Sequence, residues 1–554
     1  MKNYIAYISI LSLAFVACEP EFDNEVSGTP AQQERGEADF TTYVALGNSL
    51  TAGVADQTLY IDGQQVAFPV IIAEQMKAAG GGEFTVPLMA DNIGGFPGIP
   101  EVDDMGNPIE GTLMFPPKLV FNAATRLPET IEGVSTTLPT TILDGSFNNM
   151  GVPGAKSFHL VAENYGNVAG LPTGNANPFF TRFASDSSTT ILADALAQQP
   201  TFFSLWIGGN DVLSYATSGG TGINQLENTD PSTYSPDDLT NVGVFATVFP
   251  NVINALTANG AKGLVMNIPD VKTLPFFTTV PNNALVLNAE QAAGLTGFFR
   301  AYVGILTQSA VIEAVTAEIT EARTNGVTDP TVLGQIQEQA TQMALAQAGP
   351  LFNQYAFTFN SGPNRFLIQT APTLTNPAGL RQMTENELLL LSIDQNALRT
   401  QGYGSAAISD EVLAVLRKLQ AAPETVTPEE GLLVVNAVNP IEDKDVLDTT
   451  EINEIEIATA AFNEIIKTTT EANDLALYDA NARLQALSTT GINVNGTIIS
   501  NTFVSGGFFS LDGVHLSPRG NAVIANEMME TINAKYGSTL QPVESGAFPT
   551  VRLK

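Results

Sequence analysis

A serine, an aspartate and a histidine lie in short motifs whose residue types could together perform nucleophilic catalysis. Ser49 lies in the sequence Gly-Asn-Ser-Leu, and Asp512 precedes His515 by three positions in Asp-Gly-Val-His. A serine hydroxyl is a poor nucleophile until a base accepts its proton, and that base needs a carboxylate to fix its tautomer. The chain has 2 histidines, so a histidine base must be either His515 or His159. The short spacing allows Asp512 to orient the imidazole of His515.

The elements around these motifs predict an α/β fold with a mainly parallel sheet. Residues 42–46 (TYVAL) and 201–207 (TFFSLWI) are predicted strands, and they lead into Gly-Asn-Ser at 47–49 and Gly-Gly-Asn-Asp at 208–211. Strands that alternate with helices imply parallel pairing through right-handed crossovers. Ligands of such sheets bind beyond the carboxyl ends of the strands, so both motifs should face one site.

The same alternation of strands and helices continues along the chain. Two more strands are predicted at 263–267 and 475–478, and a last helix opens at Ser517-Pro518, where proline suits the first helical position. Further helices are predicted at 66–79, 189–198, 244–258 and 454–472.

Two blocks depart from this rhythm. Residues 80–146 are rich in Gly, Pro and Thr and are predicted to be long loops. Residues from about 280 to 450 contain helical patterns at 310–323, 331–348 and 410–420. We predict that this second block is a large, mainly helical insertion between two core elements rather than an independent module.

Four motifs, in this order, resemble the conserved blocks of the SGNH (GDSL-like) hydrolase family. They are Gly-Asn-Ser-Leu at 47–50, Asn-Met-Gly-Val-Pro-Gly at 149–154, Gly-Gly-Asn-Asp at 208–211 and Asp-Gly-Val-His-Leu-Ser-Pro-Arg-Gly at 512–520. The resemblance implies a three-layer α/β/α, flavodoxin-like core and hydrolysis of a carboxylic ester with no metal or organic cofactor. Asn48 stands where the family has aspartate, which should alter hydrogen bonding but retain the nucleophile.

The resemblance also implies a role for each of five residues. Ser49 would be the nucleophile, His515 its base and Asp512 the group that orients the base. The oxyanion hole would comprise the backbone N–H groups of Ser49 and Gly154 and the side-chain amide of Asn210. Each preorganised donor of this kind contributes a factor of roughly 100–1,000. Without the other three motifs, a helix cap would be the favoured interpretation of Asn210.

Three functions are compatible with this resemblance. A lipase or carboxylesterase acting on a small-molecule or lipid ester is the first hypothesis, because the chain has 30 phenylalanines. On this hypothesis the 280–450 insertion would cover Ser49 as an apolar cap and form the acyl-binding wall. The alternatives are a polysaccharide O-deacetylase on the same fold and a catalytically inactive surface binding lipoprotein.

Other residues that could act in catalysis or bind a metal have simpler interpretations. His159 is predicted to be a packed or surface helix residue, and Trp206 a core residue. Asp230, Asp237 and Asp238 could ligate calcium, but a solvated acidic loop is the favoured interpretation. The chain contains no Gly-x-Ser-x-Gly motif, the nucleophile elbow of the ordinary α/β-hydrolase fold, so no motif in this sequence supports that fold.

Composition excludes several classes of partner and cofactor. The 57 acidic and 23 basic residues give a net charge of −34, which would repel a nucleic-acid backbone. The single cysteine, Cys18, excludes an intrachain disulfide and a thiolate metal cluster. With 2 histidines, a histidine-rich zinc site is also excluded.

The N-terminus is predicted to direct the protein to the cell envelope. Residues 1–17 contain a lysine near the start, followed by an apolar run, and this pattern is typical of a signal peptide. Phe-Val-Ala-Cys at 15–18 resembles a lipobox, so Cys18 is the predicted site of lipidation and membrane attachment. The acidic stretch after it resembles the export signal of Bacteroidetes surface lipoproteins. We predict a flexible tether over 18–40, a hydrolase domain over 41–554 and an outer-membrane lipoprotein.

Overall fold

A five-stranded parallel sheet lies at the centre of the structure. The computed structural model describes residues 33–101, 109–494 and 496–554, so the predicted signal peptide and Cys18 lie outside the described residues. The strands are β1 (Tyr43–Gly47), β2 (Asn149–Gly151), β3 (Phe202–Trp206), β4 (Lys262–Met266) and β5 (Ala476–Tyr478). Their spatial order is 2-1-3-4-5, and every neighbouring pair is parallel. All residues of β1 and β3 are buried, as expected for a sheet that is covered on both faces.

Within the ranges that the structure describes, eight α-helices are associated with this sheet. They are α1 (Ser49–Ala52), α2 (Phe68–Ala78), α3 (Ile191–Ala197), α4 (Gly209–Thr217), α5 (Val242–Thr257), α6 (Thr449–Ala472), α7 (Ala480–Thr489) and α8 (Pro518–Tyr536). They pack in two groups: α2 contacts α8, whereas α5 and α4 contact α6. Single-turn helices also occur at Ile61–Gln64 and Pro275–Thr278.

Local sequence explains the bounds of α8. The Ser517 hydroxyl accepts a hydrogen bond of 2.9 Å from the Gly520 N–H, which satisfies a donor that the first turn leaves unpaired. Pro518 follows at the first helical position, and Gly537 ends the helix with a left-handed φ of 68°. Ile524, Met528 and Ile532, spaced one turn apart, are fully buried.

The predicted strands and helices of the sheet region are confirmed, with small shifts at their ends. One strand was missed: β2 has three residues, which is too short for a recognisable alternation. The described residues of the 80–146 region, which exclude 102–108, are irregular apart from a hairpin that pairs Leu119–Asn122 with Leu127–Thr130. The mixed α/β class with a parallel sheet is therefore established.

The 280–450 insertion lies between β4 and α6 and is less purely helical than predicted. Its helices are Ala289–Thr324, Pro330–Asn353, Gln395–Thr400, Asp410–Ala421 and Pro428–Asn436. The described part of the insertion also holds antiparallel ladders of two or three residues per strand, such as Leu285–Leu287 with Gly362–Asn364. Phe298, Phe299 and Tyr355 belong to a buried cluster separate from the sheet core. The insertion thus folds around apolar side chains of its own, which the sequence did not predict.

Among the described residues, one helix is long and apolar enough to cross a membrane. This helix, Ala289–Thr324, has a mean hydropathy of 1.2 over its most apolar window. Leu295, Phe299 and Tyr302 on this helix are buried in the cluster of the insertion.

Candidate active site

Ser49 is presented at the sharp turn where β1 ends and α1 begins. Gly47 closes the strand, and a side chain there would lie 2.1 Å from the Thr51 hydroxyl and 2.5 Å from the Trp206 carbonyl oxygen. Only glycine therefore fits at this position. Asn48 caps α1, because its side-chain oxygen accepts from the Leu50 N–H at 3.2 Å. Asn48 thus stabilises the turn that carries Ser49.

The structure brings Ser49, His515 and Asp512 into one continuous hydrogen-bonded relay. His515 Nε2 lies 2.8 Å from Ser49 Oγ, and His515 Nδ1 lies 2.9 Å from Asp512 Oδ2. An ionised carboxylate can only accept, so Nδ1 carries the proton and Nε2 is left to accept from the serine hydroxyl. The Ser49 residue is 8% exposed, so the relay operates beneath the surface.

Backbone N–H groups hold the Asp512 carboxylate in place. Oδ1 accepts from the N–H groups of Val514 and His515, both at 2.8 Å, and Oδ2 accepts from the Gln57 N–H at 2.7 Å. Burial alone would raise the pKa of Asp512, but the neighbouring His515 and these hydrogen bonds outweigh it and hold the pKa well below its usual range. Asp512 is therefore a permanently charged partner of the imidazole.

Gln57 is a part of the site that the sequence did not reveal. Asp56 and Gln57 both adopt left-handed backbone conformations, with φ of 52° and 69°. Such strain in consecutive non-glycine residues persists only where the surroundings enforce it. Asp56 Oδ1 accepts from the Leu511 N–H at 3.1 Å, and the Asp56 N–H donates to Ser510 Oγ at 2.9 Å. These contacts fix the loop before Asp512 and direct the Gln57 N–H at its carboxylate.

Phe276, which precedes the insertion, contacts the loop between Asp512 and His515 from the other side. The Phe276 N–H donates to the Gly513 carbonyl at 3.0 Å, and the Leu391 N–H donates to the Phe276 carbonyl at 2.8 Å. Gly513 has a φ of 72°, and a side chain there would approach Phe276 N to 2.9 Å. The loop between Asp512 and His515 is thus braced through backbone groups.

The predicted oxyanion-hole groups lie on the segments that follow β1, β2 and β3. Neither the Ser49 nor the Gly154 backbone N–H has a hydrogen-bond partner among the described residues. Gly154 is exposed and has a φ of 80°, a conformation that favours glycine. Asn210 Nδ2 donates one hydrogen to the Ala155 carbonyl at 3.0 Å, and α4 is capped by Gly208. The helix-cap interpretation of Asn210 is therefore wrong.

Two buried side chains anchor the segment that carries Gly154, and neither was predicted. The Asp211 carboxylate accepts from the Ser157 N–H and hydroxyl at 2.8 and 2.7 Å. Asn177 Nδ2 donates to the Pro153 carbonyl at 2.8 Å, and its Oδ1 accepts from the Phe179 N–H at 2.9 Å. Asn177 is 7% exposed. The segment is therefore held at both of its ends.

His159 is packed, as predicted. Its ring stacks on Tyr165 with centroids 4.2 Å apart, and its Nδ1 accepts from the Lys156 N–H at 3.0 Å. Burial, reinforced by the charge of Lys156, lowers the pKa of His159 to about 3. His159 is therefore a neutral packing residue, and His515 is the histidine beside Ser49.

Of the predictions for Trp206 and for the acidic loop, the first is confirmed and the second holds only in part. Trp206 is a core residue, as predicted, with 3% exposure. The acidic loop is not uniformly solvated: Asp238 is 2% exposed and accepts from the N–H groups of Ile223 and Ser235 at 2.8 Å each. Asp230 accepts from the Ser232 N–H and hydroxyl. These carboxylates shape their own loop.

Comparison with known proteins adds no relative. No family model, no curated protein and no solved structure matches this chain significantly.

Proposed function

We propose that this chain is a serine hydrolase of the SGNH type that cleaves carboxylic esters through an acyl-serine intermediate. The observation that carries the proposal is the relay from Ser49 through His515 to Asp512, with contacts of 2.8 and 2.9 Å. Such a relay makes a serine hydroxyl nucleophilic, since the imidazole accepts its proton and the carboxylate stabilises the resulting charge.

The sheet supports the same proposal. The strand order 2-1-3-4-5 is that of flavodoxin-like doubly wound sheets, whose ligands bind at the switch point between strands 1 and 3. Ser49 directly follows β1, and Asn210 follows β3. We therefore propose a three-layer, flavodoxin-like core with its catalytic centre at this switch point.

In the first half-reaction, Ser49 Oγ forms a bond to the ester carbonyl carbon while His515 Nε2 takes the hydroxyl proton. The carbonyl oxygen becomes an oxyanion, which the N–H groups of Ser49 and Gly154 and the Asn210 amide stabilise. Asp512 stabilises the imidazolium. Collapse of the intermediate breaks the bond to the alcohol oxygen, and His515 returns the proton to that oxygen.

Water completes the cycle in the second half-reaction. His515 Nε2 takes a proton from water, and the water oxygen forms a bond to the acyl carbon. The bond between Ser49 Oγ and that carbon then breaks, and Oγ recovers the proton from His515. The products are a carboxylic acid and the free enzyme.

Labelling with a fluorophosphonate probe tests this proposal and separates it from an inactive binding protein. We expect a covalent adduct on the peptide that contains Ser49 and turnover of p-nitrophenyl acetate. Ser49→Ala should abolish the adduct and lower turnover at least about a thousandfold. Ser488→Ala is the matched control, because that hydroxyl only donates to the Gln485 carbonyl of its own helix. No adduct, or more than a tenth of wild-type turnover in Ser49→Ala, would contradict the proposal.

A further inference from the structure

A small apolar cavity opens beside the catalytic centre, with a volume of about 50 Å³. Ser49, Asn210 and His515 are among the residues that line it. The rest of its wall is almost wholly hydrocarbon, contributed by residues that include Leu50, Leu213, Leu274, Leu484, Phe509 and Val514. An ester bound at Ser49 would therefore lie beside a mainly apolar wall.

The chemistry of this wall identifies which half of an ester it can hold. A hydroxylated alcohol, such as a sugar, would lose its hydrogen bonds to water there and find few partners, which is costly. The hydrocarbon part of an acyl group has no hydrogen bonds to water to lose, and its transfer out of water is favourable. The acyl group also stays bonded to Ser49 after the alcohol has left, so an apolar site beside Oγ suits it.

The volume sets the length of that acyl group. A cavity of about 150 Å³ lined by similar residues is large enough for benzene, so one of about a third of that volume has room for roughly two or three carbons. The carbonyl carbon stays at Ser49 Oγ and is not among these two or three carbons. We propose that this cavity receives the remainder of the acyl group and restricts substrates to esters of short, unbranched acids of up to about four carbons, with the alcohol outside. This inference rests on the proposed function and refines it.

The walls of the cavity also indicate which part of the chain controls this selectivity. No residue of the 280–450 insertion contributes to its lining. The sequence-based expectation that the insertion forms the acyl-binding wall is therefore not supported by this cavity. Leu213 of α4 is half-buried and lines it, so its size can be changed with little disturbance of the core.

A series of p-nitrophenyl esters from acetate to dodecanoate tests the inference. For the wild type, kcat/KM should fall by about tenfold or more between butyrate and octanoate, the size of effect a methylene or two has in a closed pocket. Leu213→Ala should raise the octanoate-to-acetate ratio by about tenfold, whereas Leu213→Phe should lower butyrate relative to acetate. Leu196→Ala, another half-buried core leucine that does not line the cavity, should leave the ratios unchanged.

The outcomes separate this inference from the proposed function. Suppose that the protein hydrolyses esters and that Leu213→Ala and Leu213→Phe, both with wild-type circular dichroism, leave the dependence on acyl length unchanged. This result would overturn the assignment of the cavity to the acyl group but not the proposed function. Dodecanoate turnover equal to that of acetate in the wild type would do the same. No hydrolysis of any ester, together with no fluorophosphonate adduct on Ser49, would overturn the proposed function and this inference with it.

Discussion

The side-chain amide of Asn177 donates a 2.8 Å hydrogen bond to the carbonyl oxygen of Pro153. That carbonyl belongs to the same peptide group as the Gly154 N–H, and the described residues contain no cis peptide bond. In a trans peptide the C=O and N–H point in opposite directions. Asn177 therefore holds the Gly154 N–H in a fixed orientation from behind, in a position to bind the oxyanion of the proposed reaction.

Replacement of Asn177 by aspartate should impair catalysis more than substrate binding. The carboxylate keeps an acceptor for the Phe179 N–H but loses the donor to Pro153. Because removal of a whole oxyanion donor costs about 100–1,000-fold, we expect kcat to fall by roughly 10–100-fold with little change in KM. Asn167→Asp is the control, since the Asn167 side chain accepts from the Ala169 N–H of its own turn, and aspartate keeps that acceptor. An unchanged kcat in a folded Asn177→Asp variant would argue against this positioning role.

Replacement of Asp512 by asparagine should severely lower turnover. A backbone carbonyl could in principle orient the imidazole instead, but in the described part of the chain His515 Nδ1 bonds only to Asp512. Both carboxylate oxygens of Asp512 accept from backbone N–H groups. In Asp512→Asn, the side-chain NH₂ would therefore face an N–H donor in either orientation of the amide. We expect kcat to fall on the order of 10⁴-fold.

Steady-state kinetics across pH would check this expectation. The pKa of Asp512 is held well below its usual range, so the loss in Asp512→Asn should persist at every pH where the enzyme is folded. Asp394→Asn is a matched control, because Asp394 accepts from the N–H groups of Asn396 and Ala397 but lies in the insertion. Activity within tenfold of the wild type would show that Asp512 is not needed to orient the base.

Glu451 should make the protein less stable as the pH rises. Burial, together with the charges of Asp448, Asp443 and Glu454, raises the pKa of Glu451 from 4.5 to about 8, although a backbone hydrogen bond from Asp448 opposes this. The folded state thus keeps a proton that the unfolded chain has already lost. Stability should fall as the pH rises from about 4.5 to about 8, with no further change from this group outside that window.

Glu451→Gln tests this linkage, because glutamine can still accept from the Asp448 N–H. The variant should melt at the same temperature as the wild type near pH 4.5 and at a higher temperature at pH 8. Glu464→Gln, an exposed position on the same helix, serves as the control. A lower melting temperature of Glu451→Gln at pH 8 would mean that the ionised carboxylate is stabilising.

Membrane attachment should depend on the thiol of Cys18, which is the only cysteine of the chain. Cys18→Ser should shift the protein from the detergent phase to the aqueous phase or leave its signal peptide uncleaved. Phase partitioning and the mass of the mature N-terminal peptide would measure this. Continued partitioning of a processed Cys18→Ser protein into detergent would contradict the lipobox interpretation.

The three residues of the proposed relay could be singled out from the sequence because their motifs are local. Ser49, Asp512 and His515 each lie in a short segment whose composition carries the signal without reference to the rest of the chain. Most of the strands and helices of the sheet region were predictable for a similar reason, since their apolar residues repeat with a regular period. The helices α4 and α7 were not predicted. The positions of the main elements followed from these two kinds of pattern.

The supporting groups could not be predicted, because they act across long separations or through the backbone. Gln57 contributes its N–H, so its side-chain type carries no information about the role. Asn177 lies 24 residues beyond Pro153 in a loop without periodicity. The ladders of the insertion, such as Leu388–Leu389 with Val446–Leu447, are too short to produce an alternating pattern.

The separate buried cluster of the insertion has a thermodynamic consequence. Exposure of apolar surface on unfolding raises the heat capacity, so a segment with its own buried core has its own unfolding enthalpy and heat-capacity change. Calorimetry of the whole chain should therefore resolve two endotherms, and a single free energy of unfolding would not describe the molecule. A covalent adduct on Ser49 should shift the endotherm of the sheet core and leave that of the insertion in place.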